Sequence, residues 1–143
     1  MRGFAIAGTA ALLGLLGLTA PAQGAETKNL SAAMTAAEET PPGPDGATGT
    51  GKFTVDMAAS TFCYEVTWDD KTGEPNAGHI HRGKKGLQGP NVISFALPDK
   101  PKDCVKSDPA LLKEIAADPS GFYVNLHTGK YPTGAIRGQL QNG

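Results

Sequence analysis

Hydrophobic and polar residues alternate in short runs along most of this chain. Lys28 to Thr35 reads as a first strand. From Lys52 to Met57, Phe53, Val55 and Met57 fall on one face, and from Thr61 to Trp68, Phe62, Tyr64, Val66 and Trp68 do the same. A period of two marks half-buried strands, and the turn at Ala58 to Ser60 makes this pair an antiparallel hairpin. Gly78 to His81, with Ile80 inward, and Asn91 to Leu97 predict two more strands. Gly121 to Thr128 and Gly134 to Gln141 predict a last hairpin around Gly129-Lys130-Tyr131-Pro132. The segments between are punctuated by turn residues: Glu38 to Gly51 is a Pro- and Gly-rich connection, and Arg82 to Pro90 is a Gly-marked loop. Pro98 to Ser107 reads as polar and irregular. Helical periodicity occurs once, where Asp108 caps, Pro109 takes the first position, and Leu111, Leu112, Ile115 and Ala116 line one face before Pro119. About seven short strands with turns between them predict an all-β antiparallel sandwich carrying one short helical insertion.

Composition supports this reading and narrows it. The 19 Gly and 11 Pro make up about a fifth of the 143 residues, against a usual share of roughly 12%. They show no fixed period, so they mark turns and exclude collagen. Thirteen basic and 14 acidic side chains nearly cancel, which leaves no surplus charge to hold a polyanion and argues against a nucleic-acid partner. Leu, Ile, Val and Phe are sparse enough to raise disorder, but disorder also needs a high net charge, and here the apolar residues are clustered.

The first 24 residues stand apart. Arg2 precedes an uncharged, mostly apolar run from Phe4 to Ala20, followed by small residues that allow cleavage after Ala22 or Gly24. That is the pattern of a secretory signal peptide, and the run is short and Gly-rich for a membrane span. The expected organisation is a signal peptide over 1–24 and one domain over 25–143, periplasmic or secreted, with no membrane span after cleavage. Export would carry Cys63 and Cys104 into an oxidising compartment, where an even pair normally closes. The closed loop of about 42 residues would contribute roughly 4 kcal/mol. Metal ligation or a reactive thiol is the alternative use of the two cysteines.

All three histidines fall in two stretches, His79 and His81 in GHIHRG and His127 in FYVNLHTGKYPTGAIRGQL. Alternation puts His79 and His81 on one strand face. In the last hairpin Phe122, Val124 and Leu126 point inward, which leaves Tyr123, Asn125 and His127 on the opposite face. Arg137 and Gln139 join them if the turn sets odd positions opposite odd ones. Three imidazoles from neighbouring strands would suit zinc or copper, with His79, His81 and His127 as ligands. Asn125, Arg137 and Tyr123 would then support the ligands or bind an anion. A surface ladder of hydrogen bonds among the same side chains explains the pattern equally well.

Three segments resemble the CHRD domain, named from chordin and common in exported bacterial proteins: EETPP (Glu38 to Pro42), GHIHRGKKGLQGP (Gly78 to Pro90) and YVNLHTGKYPTGAIRGQL (Tyr123 to Leu140). The resemblance runs from about Asn29 to Gln141. It departs at Ala135, where the family often carries Glu, a change that would leave Arg137 freer. The resemblance implies an immunoglobulin-like sandwich with distant similarity to copper–zinc superoxide dismutases, whose H-x-H strand is similar to His79-Ile80-His81. It implies no settled biochemical function. Three histidines are too few for a dismutase bimetal site, no G-x-S-x-G turn is present, and no catalytic residue is assigned. Two functional expectations follow. One is an exported binding or interaction module for an unknown protein or small ligand, with the basic run Arg82, Lys84, Lys85 as a contact for acidic partners. The other is a periplasmic copper- or zinc-binding protein.

Overall fold

The computed structural model describes residues 26–143 and Gly3. Apart from Gly3, the leader expected over 1–24 lies outside the described residues. Among the described residues there are nine strands, one α-helix and two single turns of 3-10 helix. The strands are β1 (Thr27–Thr35), β2 (Thr48–Asp56), β3 (Thr61–Trp68), β4 (Pro75–Arg82), β5 (Asn91–Phe95), β6 (Lys102–Lys106), β7 (Phe122–Thr128), β8 (Ile136–Gln139) and β9 (Gln141–Asn142). Helix α1 (Pro109–Ala117) lies between β6 and β7.

All pairings are antiparallel, and the strand order is β5-β4-β7-β8-β1-β2-β3-β6, with β9 added to β1. Two four-stranded halves are thus joined at β8 and β1, where a single register pair, Thr35 opposite Arg137, links them. The result is a nearly closed, barrel-like sandwich, in agreement with the all-β expectation. Its interior is filled by the inward positions of both halves. Phe53, packed on Phe62, and Tyr64 of one half meet Phe95 of the other, and the Tyr64 and Phe95 rings stack at 4.0 Å between centroids. The buried Tyr64 satisfies its hydroxyl by accepting the Ala96 N–H at 3.1 Å, as a buried phenol must.

The hairpin of β2 and β3 has the expected inward faces, with Phe53, Val55, Phe62, Tyr64 and Val66 buried and Met57 and Trp68 partly so. Strand β2 nevertheless starts at Thr48, inside the segment read as a turn-rich connection. Gly49 and Gly51 are strand residues there, and the Phe53 ring occupies the space a side chain on Gly51 would need. Glycine inside a strand marks such a close approach. The helix begins as expected: the Asp108 carboxylate accepts from the N–H groups of Ala110 (2.7 Å) and Leu111 (3.2 Å), and Leu112 and Ile115 are buried.

A second segment differs from expectation. Lys102 to Lys106, read as irregular, is edge strand β6 paired with β3. Its sequence, Lys-Asp-Cys-Val-Lys, lacks apolar alternation because an edge strand on this open face buries little; only Val105 packs against the core. Long-range pairing and a covalent link hold it instead. Cys63 and Cys104 are register partners with Cα atoms 3.9 Å apart, and they form a disulfide. The described residues contain no free cysteine.

Candidate metal centre

Register assembles the histidines. In the β4–β7 pairing His79 lies opposite Asn125, His81 opposite Tyr123 and Ala77 opposite His127. In the β7–β8 pairing Tyr123 lies opposite Gln139 and Asn125 opposite Arg137, so odd positions do face odd positions. Side chains of one parity share a face. His79, His81, Tyr123, Asn125, His127, Arg137 and Gln139 therefore stand on one side of three adjacent strands, while Ile80, Val124, Leu126 and Ile136 fill the core on the other.

That polar side is not a solvated ladder. Tyr123 and Asn125 are each 3% exposed and Arg137 is 2% exposed. The loop 83–90 covers them and is tied down by their own side chains. Arg137 Nη2 donates to the Lys84 carbonyl (3.1 Å), Gln139 Nε2 to the Gly83 carbonyl (2.6 Å), and the Gly89 N–H to the Tyr123 hydroxyl (3.3 Å). Strand β7 is thus buried on both faces, like a strand in a covered sheet.

The three imidazoles converge beside this covered stripe, each partly exposed. One ring nitrogen from each of His79, His81 and His127 lies within 4.8 Å of the others. Nδ1 of His79 is 3.0 Å from Nε2 of His127. Two of the rings are fixed by backbone carbonyls at their far nitrogens: His81 Nδ1 to Gly89 (2.8 Å) and His127 Nδ1 to Pro132 (3.0 Å). A carbonyl can only accept, so both Nδ1 atoms carry the proton and both Nε2 atoms turn a lone pair inward. Nε2 of His81 is buried with no hydrogen-bond partner. Burial, then the charges of His127 and His81, pushes His79 down to about 4. Burial lowers His127 as well, with the Pro132 carbonyl pulling it part of the way back and His81 lowering it further. Neutral imidazoles with a carbonyl at the second nitrogen are what metal ligation requires.

Behind the histidines lies a stacked column. The His81 ring lies parallel to the Tyr123 ring, 4.9 Å between centroids and 4° between planes, and the Arg137 guanidinium sits 3.4 Å from the Tyr123 centroid on the same phenol. Arg137 is therefore committed to the Tyr123 ring and the covering loop, although Ala135 beside it offers no acid.

A family model for the CHRD domain matches residues 30–140, most of the chain. The chain belongs to the CHRD domain family. No curated protein and no solved structure matches it. Membership supports a binding or interaction module and names no ligand. The CHRD segments quoted above, far apart in sequence, meet at this site. Glu38 of EETPP pairs with Lys85 of the covering loop at 2.7 Å, and Gln88 of that loop donates to the Thr40 carbonyl at 2.8 Å.

Glu39, the next residue of the same CHRD segment, is the member that sequence reasoning passed over. It is 7% exposed, and its Oε1 has no partner. Burial raises its carboxyl to about 7, while the Arg137 charge and the Asn125 amide pull it back down. The carboxyl packs directly on Gly134, whose φ of +142° and missing side chain make the room. An acid one residue before the Thr-Pro-Pro of a turn-rich connection, with glycine at position 134, was the signal available in the sequence. The basic run contributes less to an outward contact than its charge suggests, since Arg82 pairs with Glu114 and Lys85 with Glu38.

Proposed function

We propose that this CHRD domain is a transition-metal-binding module that holds a zinc or copper ion on His79, His81 and His127. One observation carries the reading: His79, His81 and His127 each bring a ring nitrogen within 4.8 Å of the others, and backbone carbonyls hold the far nitrogens of His81 and His127. Nitrogen-only donors suit zinc and copper over calcium or magnesium, which prefer oxygen. With metal–nitrogen distances of about 2.0–2.1 Å, tetrahedral ligand atoms lie about 3.3 Å apart. The His79–His127 pair, at 3.0 Å, is already near that spacing.

Arg137, whose charge would oppose a cation, is held instead on the Tyr123 ring and the Lys84 carbonyl. Tyr123 and Arg137 act by stacking His81 in place. The apolar leader pattern over residues 1–24 and the Cys63–Cys104 disulfide support an exported, periplasmic or secreted setting. Among the described residues no helix is long and apolar enough to cross a membrane.

The test is metal analysis of purified protein after incubation with Zn(II) or Cu(II) and desalting. Stoichiometric metal in the wild type, lost in His79→Ala and in His127→Ala, is the expected result. Metal-free wild type after loading rejects the proposal.

A further inference from the structure

Asn125 stands on β7 between the stacked Tyr123 and the ligand His127. Its side-chain oxygen lies 3.0 Å from Nε2 of His127, while its amide lies beside the Glu39 carboxyl. Since Nδ1 of His127 gives its proton to the Pro132 carbonyl, Nε2 of the neutral ring has none to offer. A carboxamide oxygen also only accepts. The Asn125 oxygen thus joins the ring nitrogens that gather at this point: Nε2 of His127, Nδ1 of His79 3.0 Å from it, and the unpartnered Nε2 of His81. Three ring nitrogens and a carboxamide oxygen around one point form a favourable setting for a cation.

We propose that Asn125 is the fourth ligand of the site, through Oδ1, and that Glu39 is the positioning residue that turns the amide so that this oxygen faces the ion. The inference rests on the metal reading above and extends it to the ligand set. Glu39 can play this part because Gly134 leaves room for its carboxyl under Asn125; a side chain at 134 would overlap it. Three nitrogens and one neutral oxygen form a set for a divalent ion of borderline softness, Zn(II) or Cu(II). Cu(I) prefers sulfur donors, and none stands in this cluster.

The experiment loads the full chain with Co(II), a spectroscopic stand-in for zinc, and measures Zn(II) affinity by chelator competition. In Asn125→Leu, close to Asn in size, the Co(II) visible bands shift as water replaces the amide, and Zn(II) affinity falls at least tenfold. Glu39→Ala lowers affinity about 10-fold or more, and Glu39→Gln, whose oxygen can still accept from the Asn125 amide, restores it. Unchanged bands and affinity in Asn125→Leu overturn the assignment while leaving the three-histidine site standing. A wild type that binds neither ion rejects the metal reading itself. Should Asn125→Leu fail to fold, Asn125→Asp decides: a carboxylate ligand tightens binding and shifts the bands, and identity with the wild type refutes ligation.

Discussion

The two halves of the barrel make opposite use of their outer faces. In the β1-β2-β3-β6 half the outer side chains, among them Ser31, Lys52, Cys63, Glu65 and Cys104, border an open groove. Hydroxyl and charge pairs link neighbouring strands of this half, such as Thr50 with Thr67 at 2.7 Å and Lys102 with Glu65 at 2.9 Å. In the β5-β4-β7-β8 half the outer face of β7 and β8 is closed by the loop 83–90. It holds an arginine, a glutamate and an asparagine nearly out of contact with water. A buried polar group without a partner costs free energy, and this face retains three such atoms: Glu39 Oε1, His81 Nε2 and Arg137 Nε. One half carries the disulfide that ties down its edge strand, and the other buries polar atoms that lack a partner. The disulfide sits where the edge strand lacks a hydrophobic hold, far from the polar cluster in strand order.

The largest expected effect separates stability from binding. Replacing Cys63 and Cys104 together by Ser frees a segment with a sequence separation of 41, and should cost about 4 kcal/mol on the chain-entropy estimate. Urea denaturation of the metal-free protein measures that loss. Below the new melting temperature, Zn(II) affinity should stay within a factor of two of wild type. A loss of affinity in parallel with stability would mean that the halves are not independent.

A second effect appears in pH dependence, again without metal. Glu39 goes from 4.5 to about 7 on folding, so the fold holds a proton that the unfolded chain releases. Its contribution is fully present below pH 4.5 and is lost as pH rises towards 7. His79 acts in the opposite sense. It falls from 6.5 to about 4, so its contribution is present above 6.5 and is lost as pH falls towards 4. His127, also lowered by burial, adds to the slope of His79, and between about pH 4.5 and 6.5 the two opposing slopes partly offset. Glu39→Gln removes one of them. Its stability relative to wild type should grow by about 3 kcal/mol from pH 4 to pH 8, seen as a urea midpoint that climbs with pH. Parallel midpoints for variant and wild type would show that Glu39 is not held neutral in the fold.

These contrasts also show what the sequence discloses. Strands β1 and β3, the helix with its Asp108 cap and the shared face of the histidines were legible because local alternation, capping and parity encode them. Strand β6 was not, because it is made by pairing with β3 and not by its own pattern. The burial of the polar stripe was equally hidden, since it depends on the loop 83–90 folding back over β7 and β8. Glu39 was invisible for a related reason: its neighbours are Asn125, Gly134 and Arg137, and no spacing rule connects position 39 to position 134. Alternation predicts which side a residue takes, but not what will cover that side.

The smallest effect tests whether the comparison holds for an element belonging to neither sheet half. Helix α1 presents Leu112 and Ile115 to the shared core, and its first turn is satisfied by the Asp108 carboxylate, which accepts from Ala110 and Leu111. Asp108→Ala leaves those N–H groups to water and should cost about 1 kcal/mol. Because the helix touches neither the histidines nor the Glu39 carboxyl, the loss should be uniform across pH. The whole stability curve drops, and the pH profile keeps the wild-type shape. Zn(II) affinity should be unchanged. The measurement is the urea midpoint of Asp108→Ala at pH 5 and pH 8, set beside that of Glu39→Gln. A loss in Asp108→Ala that differs between the two pH values would tie the helix to the polar cluster, and the pH response could no longer be assigned to the covered half alone.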